Sequence, residues 1–298
     1  ERVSLSTLKS NSLFGIFLSG PRAMLLTSLL GTGLMFSVFY LYLKNLGVKQ
    51  SGWISIVLLW LPARFLAVRS VGSPESWFML FILGSLWAFR KKKYLAAGLI
   101  GSLAQMTKSP GILLFAGYIL FFILQAVKSK KFEVEEYLKA VWVFLIPLAA
   151  LGVFAFYWLR VGDFWAYFHS GDNFHLFWPP FSVFTPSGVY WTGNYWLEEF
   201  IWIWLIYGVG IARLWKKDLM VEAIFGSIFF ASTLFIAHRD IARYILPVAP
   251  LALIGWREMI VKKEFKIIAL ILIVPTLLFT WQFLLNNTAP LADWAPYL

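Results

Sequence analysis

Apolar positions along this chain fall in long runs with few charges between them. Runs long enough to cross, or nearly cross, a bilayer lie at about residues 22–43, 52–69, 74–90, 93–107, 110–128, 138–159, 198–215, 219–237, 242–256 and 266–285. The pattern predicts an all-α polytopic membrane protein with about ten transmembrane or membrane-embedded helices. Several runs are short, and those flanking "SVGSP" and "TKSPG" predict tight helical hairpins, because Pro74 and Pro110 suit the first turn of a helix. Gly31, Gly33, Gly98 and Gly101 offer points of close helix packing. The pattern breaks between about residues 160 and 197, where 13 residues are Phe, Trp or Tyr. A segment that long is expected to be functional rather than a mere connection. Residues 1–298 are read as a single transmembrane domain, with 160–197 as its extracytoplasmic, aromatic-rich loop.

Composition agrees with lipid as the main solvent. With 60% hydrophobic and 14% charged residues and a mean hydropathy of +0.74, the chain has too little polar surface to cover a soluble globule. It has no cysteine, which excludes disulfides, thiolate catalysis and Cys-bound metal sites. The net charge of +11 would suggest nucleic acid if it were clustered on one soluble face. However, 17 of the 26 Lys and Arg fall in the turns at 44–50, 90–93, 128–139, 213–218 and 257–266. Placing those turns in the cytoplasm satisfies the positive-inside rule and puts both chain ends outside. The charge then reports topology, and no nucleic-acid partner is expected.

In that orientation the remaining polar residues gather on the outer face. Glu75, in "SVGSPESWF", is either a helix-capping carboxylate or a general base aimed into an outward cavity. Arg69 opens the same turn. Lys108, in "MTKSPG", either extends to the interface or holds a phosphate together with Thr107, Ser109 and the N–H groups of the next helix. The aromatic loop could form an interfacial belt, line an isoprenoid groove or stack on sugar rings. Asp172 and His175 are spaced to share a helical face, but two ligands are too few for a metal site. In "AHRDIARYILPVAP", Asp240 offsets only one of two arginine charges, those of Arg239 and Arg243. That imbalance points to an anionic ligand such as a phosphate, with His238 in support.

Taken in order, Pro62-Ala-Arg64-Phe65, "SVGSPESWF", a basic turn, "YLAAGLIGSLAQMTKSPGILLF", the aromatic loop and "HRDIARYILPVAP" resemble the GT-C class of integral-membrane glycosyltransferases. The similarity runs from about residue 22 to 260 and is greatest to the mannosyltransferase-like branch. That branch includes enzymes of glycosylphosphatidylinositol assembly and protein O-mannosyltransferases. The resemblance implies hexose transfer, mannose among the candidates, from a polyprenyl-phosphate donor to an acceptor hydroxyl on the extracytoplasmic face. It implies membrane lipid, the lipid-linked donor and a glycolipid, glycan or protein acceptor as partners. It implies no cofactor, leaves divalent metal open, and fits a multi-pass protein of the bacterial plasma membrane with its active face outward.

Carried onto this chain, the resemblance makes Lys108, His238, Arg239 and Arg243 contacts to the donor phosphate, and Arg69, His175 and Tyr244 substrate contacts. The family's main catalytic aspartate lies in a first outer loop that follows an N-terminal helix, and neither is found before "SGPRAMLLTSLL". The sequence is therefore expected to be a fragment in which residues 1–20 resemble the end of that loop. If the chain is complete, Glu75 or Asp172 is the base. A lipid or glycan transporter or flippase without transferase activity is the main alternative; a structural subunit of a larger complex is a third.

Overall fold

The computed structural model describes residues 20–129, 138–169, 176–185 and 195–286. Every regular element among them is helical; their one extended pairing is an isolated antiparallel bridge between Leu176 and Ile236. Asp172, His175 and much of the aromatic loop lie outside the described residues, as do residues 1–19.

Among the described residues, four helices are long and apolar enough to cross a bilayer: Arg22–Asn45, Ser109–Lys128, Leu138–Val161 and Lys263–Asn286. A fifth candidate is the bent pair Ser51–Leu58 and Ala63–Arg69, whose halves meet at 67°. At 1.5 Å per residue a 24-residue span reaches roughly 36 Å, enough for a hydrocarbon core of about 30 Å. The other predicted runs are also helical but shorter; Tyr94–Thr107, with 14 residues, reaches only about 21 Å. Length thus supports four crossings, or five with the bent pair, and does not carry the expected count of about ten.

The chain divides into two compact units, one built from residues 1–80 and 258–298 and the other from 81–257. In the first unit, α1 (Gly20–Asn45) packs against α2 (Ser51–Leu58) and α3 (Ala63–Arg69). The break between α2 and α3 falls at Pro62, which has no N–H to continue a helix and holds an extended backbone, φ −78° and ψ 144°. Main-chain carbonyls of the chain's later part receive two indole N–H groups of this region. Trp53 Nε1 donates to Ile260 O at 2.9 Å and Trp60 Nε1 to Ala269 O at 3.3 Å.

The second unit is built around α4 (Glu75–Arg90, from Phe81 onward), α5 (Tyr94–Thr107), α6 (Ile112–Ser129), α7 (Leu145–Val161), α8 (Ala166–His169), α9 (Tyr195–Ala212), α10 (Met220–Thr233), α11 (Ile241–Tyr244) and α12 (Ala249–Ile260, up to Arg257). Two further helices, α13 (Lys263–Ile271) and α14 (Ile273–Asn286), belong to the first unit, where α14 packs on α3. Aromatic stacking ties α4 to α6: the Phe89 and Tyr118 rings lie parallel, with centroids 4.0 Å apart. The Ser85 hydroxyl bridges three helices, donating to Ala97 O at 2.7 Å and pairing with Tyr118 Oη at 2.6 Å.

Small residues set the closest approaches. A Cβ on Gly98 would lie 2.0 Å from Trp142 O, and one on Gly255 would lie 1.8 Å from Gly210 O. Gly31 lies under the Trp77 indole and Gly101 under Ile146, whereas Gly33 has no neighbour within 4 Å of its would-be Cβ. Of the four glycines expected to permit packing, three do so. The closest approach, Gly210 against Gly255, joins two that the pattern did not single out.

Gly255→Ala is expected to destabilise the protein by about 1–3 kcal/mol, because backbone rather than a flexible side chain must yield. Gly33→Ala should leave stability unchanged or raise it by up to about 1 kcal/mol through helix propensity. Thermal melts of the two variants in detergent check this contrast, and an equal loss in both would contradict it.

Candidate functional site

In the first unit, the turn carrying Arg69 and Glu75 is docked on α1. Ser28 Oγ donates to Arg69 O at 3.0 Å, and Trp77 Nε1 donates to Thr27 O at 2.9 Å. Thr32 and Ser76 share a buried hydroxyl–hydroxyl bond of 2.8 Å. Glu75 is the first residue of α4 and is 1% exposed. The Ser73 hydroxyl donates to its Oε2. Burying a carboxylate is costly unless it is compensated. Here both the hydroxyl donor and the positive end of the α4 dipole stabilise negative charge. This geometry serves the capping role, and it also holds a carboxylate shielded from bulk water. Arg69 is half-buried, with Cζ 5.9 Å from the Phe65 ring.

One charged residue of this unit was not selected from the sequence. Arg64 is 9% exposed and lies just past the α2–α3 break, with Cζ 3.6 Å from the centroid of the Phe283 ring on α14. The stacking suits a weakly hydrated, planar guanidinium. Its signal was available, since a charge inside an apolar run is itself informative.

The second unit holds the other described candidates. Lys108 caps α5 in an extended conformation, φ −150° and ψ 139°, and is half-buried. The hydroxyls flanking it are already engaged: Thr107 Oγ1 donates to Leu103 O at 2.7 Å, and Ser109 Oγ pairs with Tyr167 Oη at 2.9 Å. The second bond links the lysine turn to the corner between α7 and α8. At that corner Asp163 Oδ1 accepts from Trp165 N at 2.8 Å, and Oδ2 lies 2.8 Å from His169 Nδ1. The His169 hydrogen bond, with help from the Trp165 N–H, holds the Asp163 carboxyl below the usual carboxylate range. A carboxylate on Nδ1 orients the imidazole and leaves Nε2 facing away, an arrangement suited to proton transfer. Nothing in the sequence signals that Asp163 and His169 pair.

The cluster from His238 to Tyr244 follows α10. Residues 234–236 are held by the aromatic segment, since Phe177 N donates to Phe235 O at 2.8 Å and Phe181 N to Leu234 O at 2.7 Å. The Asp240 N–H donates to His238 Nδ1 at 3.0 Å, so a neutral His238 carries its proton on Nε2 and presents a donor there. Asp240 O then accepts from the N–H groups of Arg243 and Tyr244 at 2.9 and 3.2 Å, closing the single turn of α11. The buried Ile241 anchors that turn. The His238 and Tyr244 rings meet edge to face, with centroids 5.4 Å apart. Arg239 is exposed, whereas His238, Asp240, Arg243 and Tyr244 are half-buried.

Helix direction brings Lys108 and this cluster to one end of the second unit. α6 begins beside Lys108 and α10 ends just before the cluster; Gly117 of α6 lies against Phe225 of α10. At the opposite end, Arg90 meets Glu222. Among the described residues no group of three or more His, Asp or Glu side chains is placed to hold a metal ion.

No protein-family model matches the chain, and no solved structure matches it. Among curated proteins, it is similar to an uncharacterized protein of Aquifex aeolicus (strain VF5), with 33% identity over 108 residues, 34% of this chain. The match spans 22% of that relative's length.

The pH dependence of the α7–α8 corner follows from the lowered Asp163 value. Because the folded group titrates below the unfolded one, the contribution of the pair is present above the ordinary Asp value near 3.9 and is lost as pH falls through the depressed folded value. Hydrogen exchange of peptides covering 162–169, corrected for intrinsic rates, should show protection persisting down to about pH 4 and fading below it. Asp163→Asn should remove this acid transition. An identical transition in the variant would rule out the pair as its origin.

Proposed function

We propose that this chain is a GT-C-class glycosyltransferase of the mannosyltransferase-like branch, transferring a hexose from a polyprenyl-phosphate donor to an acceptor hydroxyl. The observation that supports the reading most is the polarity of the second unit. Lys108, His238, Arg239 and Arg243 stand at one end of its helices, where a lipid-linked phosphate at the membrane surface would lie, rather than along their middles. In the proposed orientation this end is extracytoplasmic, and the protein is a multi-pass component of a bacterial plasma membrane with about ten membrane-embedded helices.

The chemistry follows from those residue types. The acceptor oxygen attacks the anomeric carbon as the bond from that carbon to the phosphate oxygen breaks, with inversion. The bonding pair leaves with the phosphate. Guanidinium and ammonium groups stabilise the charge that develops there, and the Nε2–H of His238 adds a donor. The acceptor proton passes to a carboxylate, for which Glu75 and Asp172 are the assigned groups. The oriented Asp163–His169 pair offers a further proton acceptor near the Lys108 turn. Arg69, His175 and Tyr244 are assigned to substrate contacts. No cofactor is proposed beyond the donor itself, and the partners are membrane lipid, the donor and a glycolipid, glycan or protein acceptor.

One observation favours the second reading, a lipid or glycan transporter or flippase. A broken apolar helix with a buried arginine beside the break resembles the discontinuous helices that line transport sites. Reconstitution of the full-length protein separates the two. With a polyprenyl-phosphate mannose donor, Lys108→Ala and Arg243→Ala should each lower transfer by roughly 10- to 150-fold, the scale of one charge-assisted hydrogen bond. Unchanged transfer in both would refute the phosphate assignment. Transbilayer movement of the donor without transfer, abolished by Arg64→Ala, would favour the transporter instead.

A further inference from the structure

The end of the second unit opposite Lys108 gathers cations from two separate turns. One turn follows α4 and carries Arg90, Lys91, Lys92 and Lys93; the other follows α9 and carries Lys216 and Lys217. Lys91, Lys92, Lys93 and Lys216 are exposed. Like charges so arranged should repel and splay the turns. A buried carboxylate opposes this: Glu222, at the start of α10, lies 3.4 Å from Arg90 Nη1. The same Nη1 lies 3.5 Å from Asp218 O in the second turn.

Both turns are also fixed individually. Lys91 Nζ sits 4.4 Å from the centroid of the Trp87 ring. Arg213 Nε donates to Gly255 O at 2.9 Å, with Cζ 5.1 Å from the Trp256 ring centroid, and Trp215 Nε1 donates to Ser227 Oγ at 3.1 Å. The turns that carry the lysines are therefore anchored. Within this stretch of the described residues, Asp218 and Glu222 are the carboxylates, and Glu222 is committed to Arg90.

We infer that these two turns form one binding site for the headgroup phosphodiester of an anionic phospholipid, with Glu222 as the positioning residue that holds the turns together. Charge complementarity favours this ligand. A cation cluster at the ends of apolar helices lies at headgroup level, where each lysine gains from anionic lipid and the tryptophans Trp87 and Trp215 suit the interface. The site does not depend on the glycosyltransferase reading, because it lies at the other end of the helices and uses none of the residues assigned to transfer.

The test uses the full-length protein in detergent micelles, titrated with phosphatidylglycerol or phosphatidylcholine and followed by thermal melting and native mass spectrometry. Phosphatidylglycerol should raise the melting midpoint and remain bound, with an effect that shrinks as salt is raised, whereas phosphatidylcholine should not. Replacing Lys91, Lys92, Lys93, Lys216 and Lys217 by Gln should weaken phosphatidylglycerol binding at least tenfold; Arg at the same five positions should restore it. Glu222→Gln keeps every cation and should still weaken binding severalfold, a loss that charge counting does not predict. Because Glu222→Gln could also impair folding, Lys216→Gln with Lys217→Gln provides a milder variant that leaves the core untouched and should show a partial loss.

Equal response to the two lipids, or undiminished binding by the five-Gln variant, would overturn the inference. So would stronger competition from RNA or polyglutamate than from phosphatidylglycerol. Binding that appears only after Glu133, Glu135 and Glu136 are changed to Gln would assign the cations to the chain's own acidic run instead.

Discussion

Many buried polar groups among the described residues find their partners within the protein, as apolar helices in lipid favour, although a few, such as Trp204 Nε1 and Tyr207 Oη, do not. This preference shapes the described structure from the smallest scale upward. The indole N–H groups of Trp53, Trp60, Trp77 and Trp256 each donate to a main-chain carbonyl. Hydroxyls on the helices fold back onto the preceding turn, as Thr27, Thr32, Ser37 and Thr280 do, or bridge neighbouring helices, as Ser85 does. Carboxylates obey the same rule: Glu75 takes the Ser73 hydroxyl and Glu222 takes Arg90. Each contact contributes only about a kilocalorie or so, but leaving such a group unpaired in an apolar interior costs more. The arrangement is therefore selected as much by what it avoids as by what it gains.

Against that background the second unit is polar at two ends with opposite characters. One end carries Lys108, the Asp163–His169 corner and the turn from His238 to Tyr244; the Ser109–Tyr167 link joins the first two, and short local bonds order the corner and the turn. The other end is cationic, and there the buried Glu222 meets Arg90. Between them the helices meet through aromatic rings and glycines, with Phe89 on Tyr118 and Gly210 on Gly255. The chemistry proposed for one end and the lipid contact inferred for the other need no shared residue.

Much of this was legible in the sequence because apolar runs dictate helices directly. Helix is present over every predicted run, and Pro110 stands at a helix start as expected, whereas the break at Pro62 falls inside a run read as continuous, 52–69. The number of crossings was less legible, since an apolar run sets solvent preference but its turns set its length. "KKK" before Tyr94 and "KSPG" after Thr107 leave only 14 helical residues. Among candidate residues, local relations could be read from spacing, as with Asp240 and Arg243 around one turn. Long-range pairings could not: Arg90 and Glu222 are 132 residues apart, and the six residues from Asp163 to His169 span a corner whose geometry no periodicity reports. Arg64 and Glu222 are charges inside apolar runs, a signal that the sequence held and the reading passed over, and their partners carry no such signal. The status of Asp172 and His175 rests on the sequence alone.

The contact between Gly210 and Gly255 also has a mechanical meaning. Where two helices touch backbone to backbone, no layer of side chains lies between them to deform, so α9 and α12 resist sliding or rolling past each other at that point. They behave there as one jointed beam. Any rearrangement at the end bearing His238 would have to be absorbed away from this contact. The aromatic stretch at 176–185, by contrast, meets residues 234–236 through main-chain hydrogen bonds rather than through packed backbones.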